Sequence, residues 1–179
     1  MNPENEARLC IDLLLEKLTS SHDIERNYSA NGMVWDAYAR YAAASGKYVL
    51  TKKAALWSAQ EFEHMLITHA RTVGPEIIAS YQNTISSCME PQMVHPGKTL
   101  PGKDHMRSFL TIVAVCSQPV SGEVVRMIKK YRFDRGYRFS LRGFAQGRIV
   151  LIDLASRRIF TSPSARDVRD FFAQILKKL

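Results

Sequence analysis

The sequence predicts an α/β (α+β) protein in which helices flank an antiparallel-rich mixed sheet. Three observations carry that expectation. Apolar residues recur at helical spacing near the start, middle and end of the chain, with strand-like runs between them. An Asn31-Gly32 pair separates two of those runs, and both residues tolerate the positive φ of a type I′ hairpin turn. The composition, 46% hydrophobic and 23% charged, supports a packed core.

The elements follow in order. Asn2-Pro3 supplies an N-cap and a proline at the first helical position, and Ile11, Leu14, Leu15 and Leu18 then form an apolar stripe. Leu9, Cys10 and Leu13 widen that stripe, so the helix is expected to lie across a sheet. Strands are expected over Ile24–Ala30 and Met33–Ala43, the second ending at a Ser45-Gly46 turn. A third runs over Lys47–Trp57, and after a turn at Gln60 a further strand covers Phe62–His69. Gly74-Pro75 opens a helix with Ile77, Ile78, Tyr81, Ile85 and Cys88 on one face. Glu90 to Asp104 carries Pro91, Pro96-Gly97 and Pro101-Gly102 and reads as a loop or linker.

Beyond it, Ser108–Cys116 reads as a buried strand, and Ser121 caps a short helix with Val124, Val125, Ile128 and Tyr131 inward and Arg126, Lys129 and Lys130 outward. Tyr137–Phe144 alternates, placing Tyr137, Phe139 and Leu141 in the core and Arg138, Ser140 and Arg142 in solvent. Arg148–Leu154 is apolar on both faces, and Ile159–Thr161 returns after an Ala155-Ser156 turn. Ser162-Pro163, or Ser164 with Asp167, starts a last helix with Val168, Phe171, Phe172, Ile175, Leu176 and Leu179 inward. The 179 residues suit a single domain, with two lobes, 1–90 and 106–179 around a linker at 91–105, as the alternative.

Charge and cysteine usage narrow the setting. Residues 1–90 hold 8 Lys/Arg against 11 Asp/Glu, a net of −3, whereas residues 91–179 hold 17 against 6, a net of +11. The N-terminus lacks a basic, then apolar, export signal, and the longest apolar run, Phe109–Cys116, falls far short of the roughly 20 residues that cross a bilayer. Cys10, Cys88 and Cys116 are odd in number and scattered, which fits reduced core thiols and a cytoplasmic setting without membrane contact.

The strongest functional signal is the stretch Arg126–Arg148, where cations interleave with aromatic residues. Lysine and arginine neutralise phosphates and release counterions, so a basic face centred on Arg126, Lys129, Lys130, Arg138 and Arg142 fits a polyanion. The bland alternative is a solvated cationic face without a ligand. Nucleic acid and an acidic protein surface are the candidate partners, and the acidic and basic halves also allow a homo-oligomer joined by opposite charges. His64 and His69 should point to opposite faces of a strand, against shared metal ligation, and His105 reads as a polar loop residue. No metal site is expected, and no Gly-x-Gly-x-x-Gly, Walker loop or Gly-x-Ser-x-Gly motif implies a cofactor.

Two resemblances add to this. Asp23-Ile-Glu-Arg-Asn-Tyr28, Trp35-Asp-Ala-Tyr-Ala39, Lys47-Tyr-Val-Leu-Thr-Lys-Lys-Ala54, His105-Met, Ile128-Lys-Lys-Tyr131 and Leu151-Ile-Asp-Leu154 together resemble an uncharacterised family of small cytosolic bacterial proteins, which implies no activity. The order of elements also resembles metal-dependent nucleases of the restriction-endonuclease type. That likeness implies a catalytic role for Asp36 and Lys53, but Thr51 stands where a second metal-binding carboxylate belongs. Glu61, Glu63 or Asp153 would have to replace it in space.

Overall fold

The computed structural model describes residues 2–48 and 55–179. Helix α1, Pro3–Leu18, begins where the Asn2 side chain accepts from the Glu4 N–H at 3.2 Å, satisfying one of the donors that a helix start leaves open. Strands β1 (Asp23–Ala30) and β2 (Met33–Tyr48) form the hairpin that Asn31-Gly32 predicts, with φ of 52° and 70° at the two turn residues. The Trp35 indole N–H donates to the Ala30 carbonyl and ties the hairpin end.

β2 then departs from the expected pattern. Ser45 and Gly46 do not turn; they pair with Ala59 and Ser58 of β3 (Ala55–Ala70), and Gln60 sits within β3 opposite Ala44. The strand expected at Lys47–Trp57 is instead divided: Lys47 and Tyr48 end β2, residues 49–54 lie outside the described residues, and Ala55–Trp57 open β3, which runs on through Gln60 and Phe62–His69 as one strand. A continuous antiparallel ladder satisfies backbone groups that local turn chemistry would have left to water.

Helix α2, Pro75–Thr84, continues into a π-helix over Ile85–Val94 that carries Pro91 inside it, so the segment expected as loop from Glu90 is helical to Val94. Proline signals the end of an α-helix, and that signal misleads where the winding widens. β4, His105–Cys116, lies parallel to β3 from His105 opposite Gln60 to Cys116 opposite Ala70. The sheet therefore runs unbroken from the first half of the chain into the second.

Helix α3 (Gly122–Lys130) starts as expected, Ser121 accepting from the Val124 N–H. The short strand β5 (Asp134–Gly136) precedes β6 (Phe144–Asp153), and β7 (Arg158–Thr161) follows it. Among the described residues the strands make one seven-stranded sheet, ordered β1-β2-β3-β4-β6-β5, with β7 also on β6. β3, β4 and β6 are mutually parallel and the remaining pairs antiparallel. A short turn of 3₁₀-helix, Pro163–Ala165, leads into α4, Arg169–Leu176.

Side chains alternate across this sheet and divide the core in two. Leu66, Leu110, Ile112, Ile149 and Leu151 meet Ile78, Ile85, Met89, Val124 and Ile128 of α2, the π-helix and α3. Met65, Ile67, Val113, Val115, Val150 and Ile152 meet Leu14, Leu15, Phe172 and Ile175 of α1 and α4. Each such burial contributes about 1.5–3 kcal/mol of transfer free energy. Covered on both faces, the central strands read as apolar runs, which is the property that made β4 and β6 legible.

Tyr137–Phe144 is not a strand up to Phe144. Arg138, Phe139 and Ser140 take φ of 47°, 54° and 65°, and Gly143 takes 74° where any Cβ would strike the Met106 carbonyl. Phe139 and Leu141, expected in the core, are 101% and 83% exposed, and Tyr137 alone goes inside. His105 is likewise buried rather than at the surface, bonded through Nδ1 to the Arg142 carbonyl and through Nε2 to Ser108.

Candidate polyanion groove

Two groups of cations in the second half of the chain flank the ends of β6. Arg138 and Arg142 belong to the loop before it, beside the start of β4. At the other end, the Ser156 N–H donates to Asp153 Oδ1 and Arg157 turns with φ 54°, reversing the chain into β7. Ser162 closes β7, its N–H donating to the Ile149 carbonyl and its hydroxyl accepting from the Ile149 N–H. This fixes Arg158 on the strand and sends the chain through Pro163 to α4.

A groove of about 1090 Å³ opens along β7, between Lys129 in the last turn of α3 and the outer face of α4. Arg169, Ala173 and Leu176 of α4 and Lys177, which caps it, line the groove because positions i, i+4, i+7 and i+8 share one helix face. Ile159, Phe160, Pro163 and Leu179 supply further apolar lining. Among the described residues six cations meet it, Lys129, Arg157, Arg158, Arg166, Arg169 and Lys177, against one side-chain carboxylate, Asp170. Arg157 is paired with Glu6 of α1. Among the described residues the other five have no carboxylate within ion-pair reach. Like charges converging around a concave apolar surface raise the local positive potential and favour an anionic ligand.

Of the five residues expected to form the basic face, only Lys129 lines this groove. Arg126 and Lys130 are exposed on α3 outside it, and Arg138 and Arg142 do not reach it. Sequence reasoning passed over Arg166, Arg169 and Lys177 because it read the last helix for its apolar stripe alone, and Arg158 because it began the preceding strand at Ile159. The pattern that could have shown them is the spacing of Arg169 and Lys177, two turns apart on one face.

Other charged residues are engaged elsewhere. Arg148, 4% exposed, lies 3.5 Å from the Phe109 ring centroid, 3.0 Å from Asp167 and 3.9 Å from Glu63. Burial pulls its guanidinium below the usual range, against Asp167 and Glu63. Glu61 pairs with Arg107 at 2.6 Å, Glu63 accepts from the Thr111 hydroxyl, and Asp153 accepts from the backbone of Val120 and Ser156. Asp36, the nuclease-like candidate, accepts from the His69 N–H at 2.7 Å, and Lys53 lies outside the described residues. His64 bonds to the Tyr38 hydroxyl and His69 to Ser117. Among the described residues no three His, Cys, Asp or Glu side chains are grouped to hold a metal ion. Nor is any described helix long and apolar enough to cross a membrane.

A family model described as a domain of unknown function (DUF8052) matches residues 6–174. The chain belongs to that family. No curated protein and no solved structure matches it significantly. The span shared with this family takes in Lys129, Arg158, Arg166 and Arg169, whereas Lys177 lies past its end.

Proposed function

We propose that this protein is a binding protein whose groove beside β7 takes a polyanion. The observation that carries the reading is the convergence of Lys129, Arg158, Arg166, Arg169 and Lys177, five cations without carboxylate partners among the described residues, from α3, β7 and the two ends of α4 onto one concavity. Cations scattered over a surface are each solvated separately; convergent ones concentrate potential where a chain of negative charges can lie. The three cysteines are free and buried, which supports placing the role in a reducing compartment, the cytoplasm.

Binding of fluorescent heparin tests this. Affinity should be measurable at low ionic strength and fall linearly on a log–log plot against salt, as counterion release requires. Loss of that dependence in an Arg166→Glu/Arg169→Glu variant that remains folded supports the groove. Undetectable binding at low salt, or binding indifferent to salt, overturns it.

A further inference from the structure

β7 leaves one side of its backbone open. Its partner is β6, with Thr161 opposite Val150 and Ile159 opposite Ile152. The Ser162 N–H donates to the Ile149 carbonyl at 2.9 Å, which sets the parity of the ladder. In an antiparallel pair, residues exchanging hydrogen bonds alternate with residues whose N–H and C=O turn outward. Ser162, Phe160 and Arg158 therefore face β6, and the backbone groups of Ile159 and Thr161 face away. Both residues line the cationic groove. Among the described residues, no backbone or side-chain partner meets those outward groups.

An open strand edge and a basic groove thus coincide. Nucleic acid bound in single-stranded form draws much of its affinity from bases stacked on exposed rings. Among the described residues Phe160 is the one aromatic side chain lining the groove; it is 7% exposed, and the Arg158 guanidinium lies 5.1 Å from its ring centroid. An extended peptide satisfies more of what the groove offers. Its backbone can pair with Ile159 and Thr161, its acidic side chains can meet the cations, and its alternate apolar side chains can lie on Ile159, Leu176 and Leu179.

We infer that the groove binds an acidic, extended peptide segment of a partner protein by adding it as a strand to the edge of β7. This rests on the polyanion reading above and names its ligand class. Charge complementarity selects the occupant, since among the described residues the groove wall offers six cations and one side-chain carboxylate.

The probe is a short synthetic peptide of alternating Glu and Val, compared with heparin and with single-stranded DNA on the full chain. The peptide should bind with salt dependence and slow amide exchange at Ile159 and Thr161, while heparin leaves those amides unprotected. Thr161→Pro removes one outward N–H, a position where an edge strand tolerates proline. It should weaken the peptide about tenfold and weaken heparin, which meets the cations and not the strand's N–H, by less. Should that variant fail to fold, a backbone N-methylated peptide on the unaltered protein provides the same contrast and should bind about tenfold more weakly.

Peptide binding without amide protection, or DNA binding in preference to the peptide, overturns strand addition and leaves the polyanion reading standing. Protection of the same amides in the protein alone, with a dimer in sedimentation, makes the occupant a second copy and overturns the peptide. If neither heparin nor peptide binds, both readings fall.

Discussion

The Tyr137 hydroxyl donates to the carboxylate of Glu90 at 2.5 Å, joining the loop before β6 to the π-helix. Glu90 is 2% exposed, and His95 Nε2 at 3.0 Å and Arg135 at 3.3 Å complete its surroundings. Burial, and then the carboxylate itself, push the Tyr137 phenol above its usual range, so it stays a donor. Tyr137→Phe removes that donor from a buried carboxyl group and should cost about 1–3 kcal/mol, read as a lower urea midpoint with unchanged slope.

His64 predicts an acid sensitivity. Burial, and secondarily the Arg40 charge, push its imidazole down to about 4, and the Tyr38 and Phe62 rings stack beside it. The folded state therefore binds fewer protons than the unfolded one between the ordinary value of 6.5 and about 4. Stability should be full above that window and fall as pH drops through it, by at most about 3 kcal/mol from this group. His105, also shifted down by burial, acts in the same direction. His64→Gln should flatten the curve of unfolding free energy against pH; an unaltered slope would count against a buried neutral imidazole.

The Arg148 ion pairs separate two costs. Arg148→Ala strips the neighbour from Glu63, whose side chain is 18% exposed, and should destabilise the fold by about 3–5 kcal/mol. Asp167→Ala removes a partner that is itself 62% exposed but leaves the buried Arg148 with Glu63 only, at 3.9 Å, and should cost about 1–3 kcal/mol. Chemical denaturation of the two variants side by side checks the ranking.

Phe139 holds a left-handed conformation with no burial in return. Phe139→Gly should raise stability by about 0.5–1 kcal/mol, the relief of a positive φ less the added freedom of the unfolded glycine. A thermal scan showing a lower midpoint would contradict this.

Cations distant in the fold should behave differently toward heparin. Arg169→Ala and Arg158→Ala should each lower the magnitude of the salt slope by about one. Arg138→Ala and Arg142→Ala, at the far end of β6, should leave both affinity and slope nearly unchanged. Equal effects from all four would place the ligand across the whole basic half.

The groove was only partly legible beforehand. Lys129 stood out because Ser121 fixes the phase of α3, and phase decides which residues face water. Arg138 and Arg142 misled because alternation in Tyr137–Phe144 imitates a strand, and nothing local shows that Glu90 will draw Tyr137 inward or that Gly143 must pass close to Met106.

By itself the chain determined what neighbouring residues settle. The Asn2 and Ser121 caps, the Asn31-Gly32 hairpin and the apolar runs of β4 and β6 are local, because dihedral preference and side-chain capping act within a few residues. Tertiary structure alone decided the length of β2 and β3, the winding past Pro91 and the meeting of Lys129 with Arg158, Arg169 and Lys177. Those depend on backbone pairing and burial between distant segments, whose free energy outweighs local preference and leaves no trace in the spacing of any one stretch.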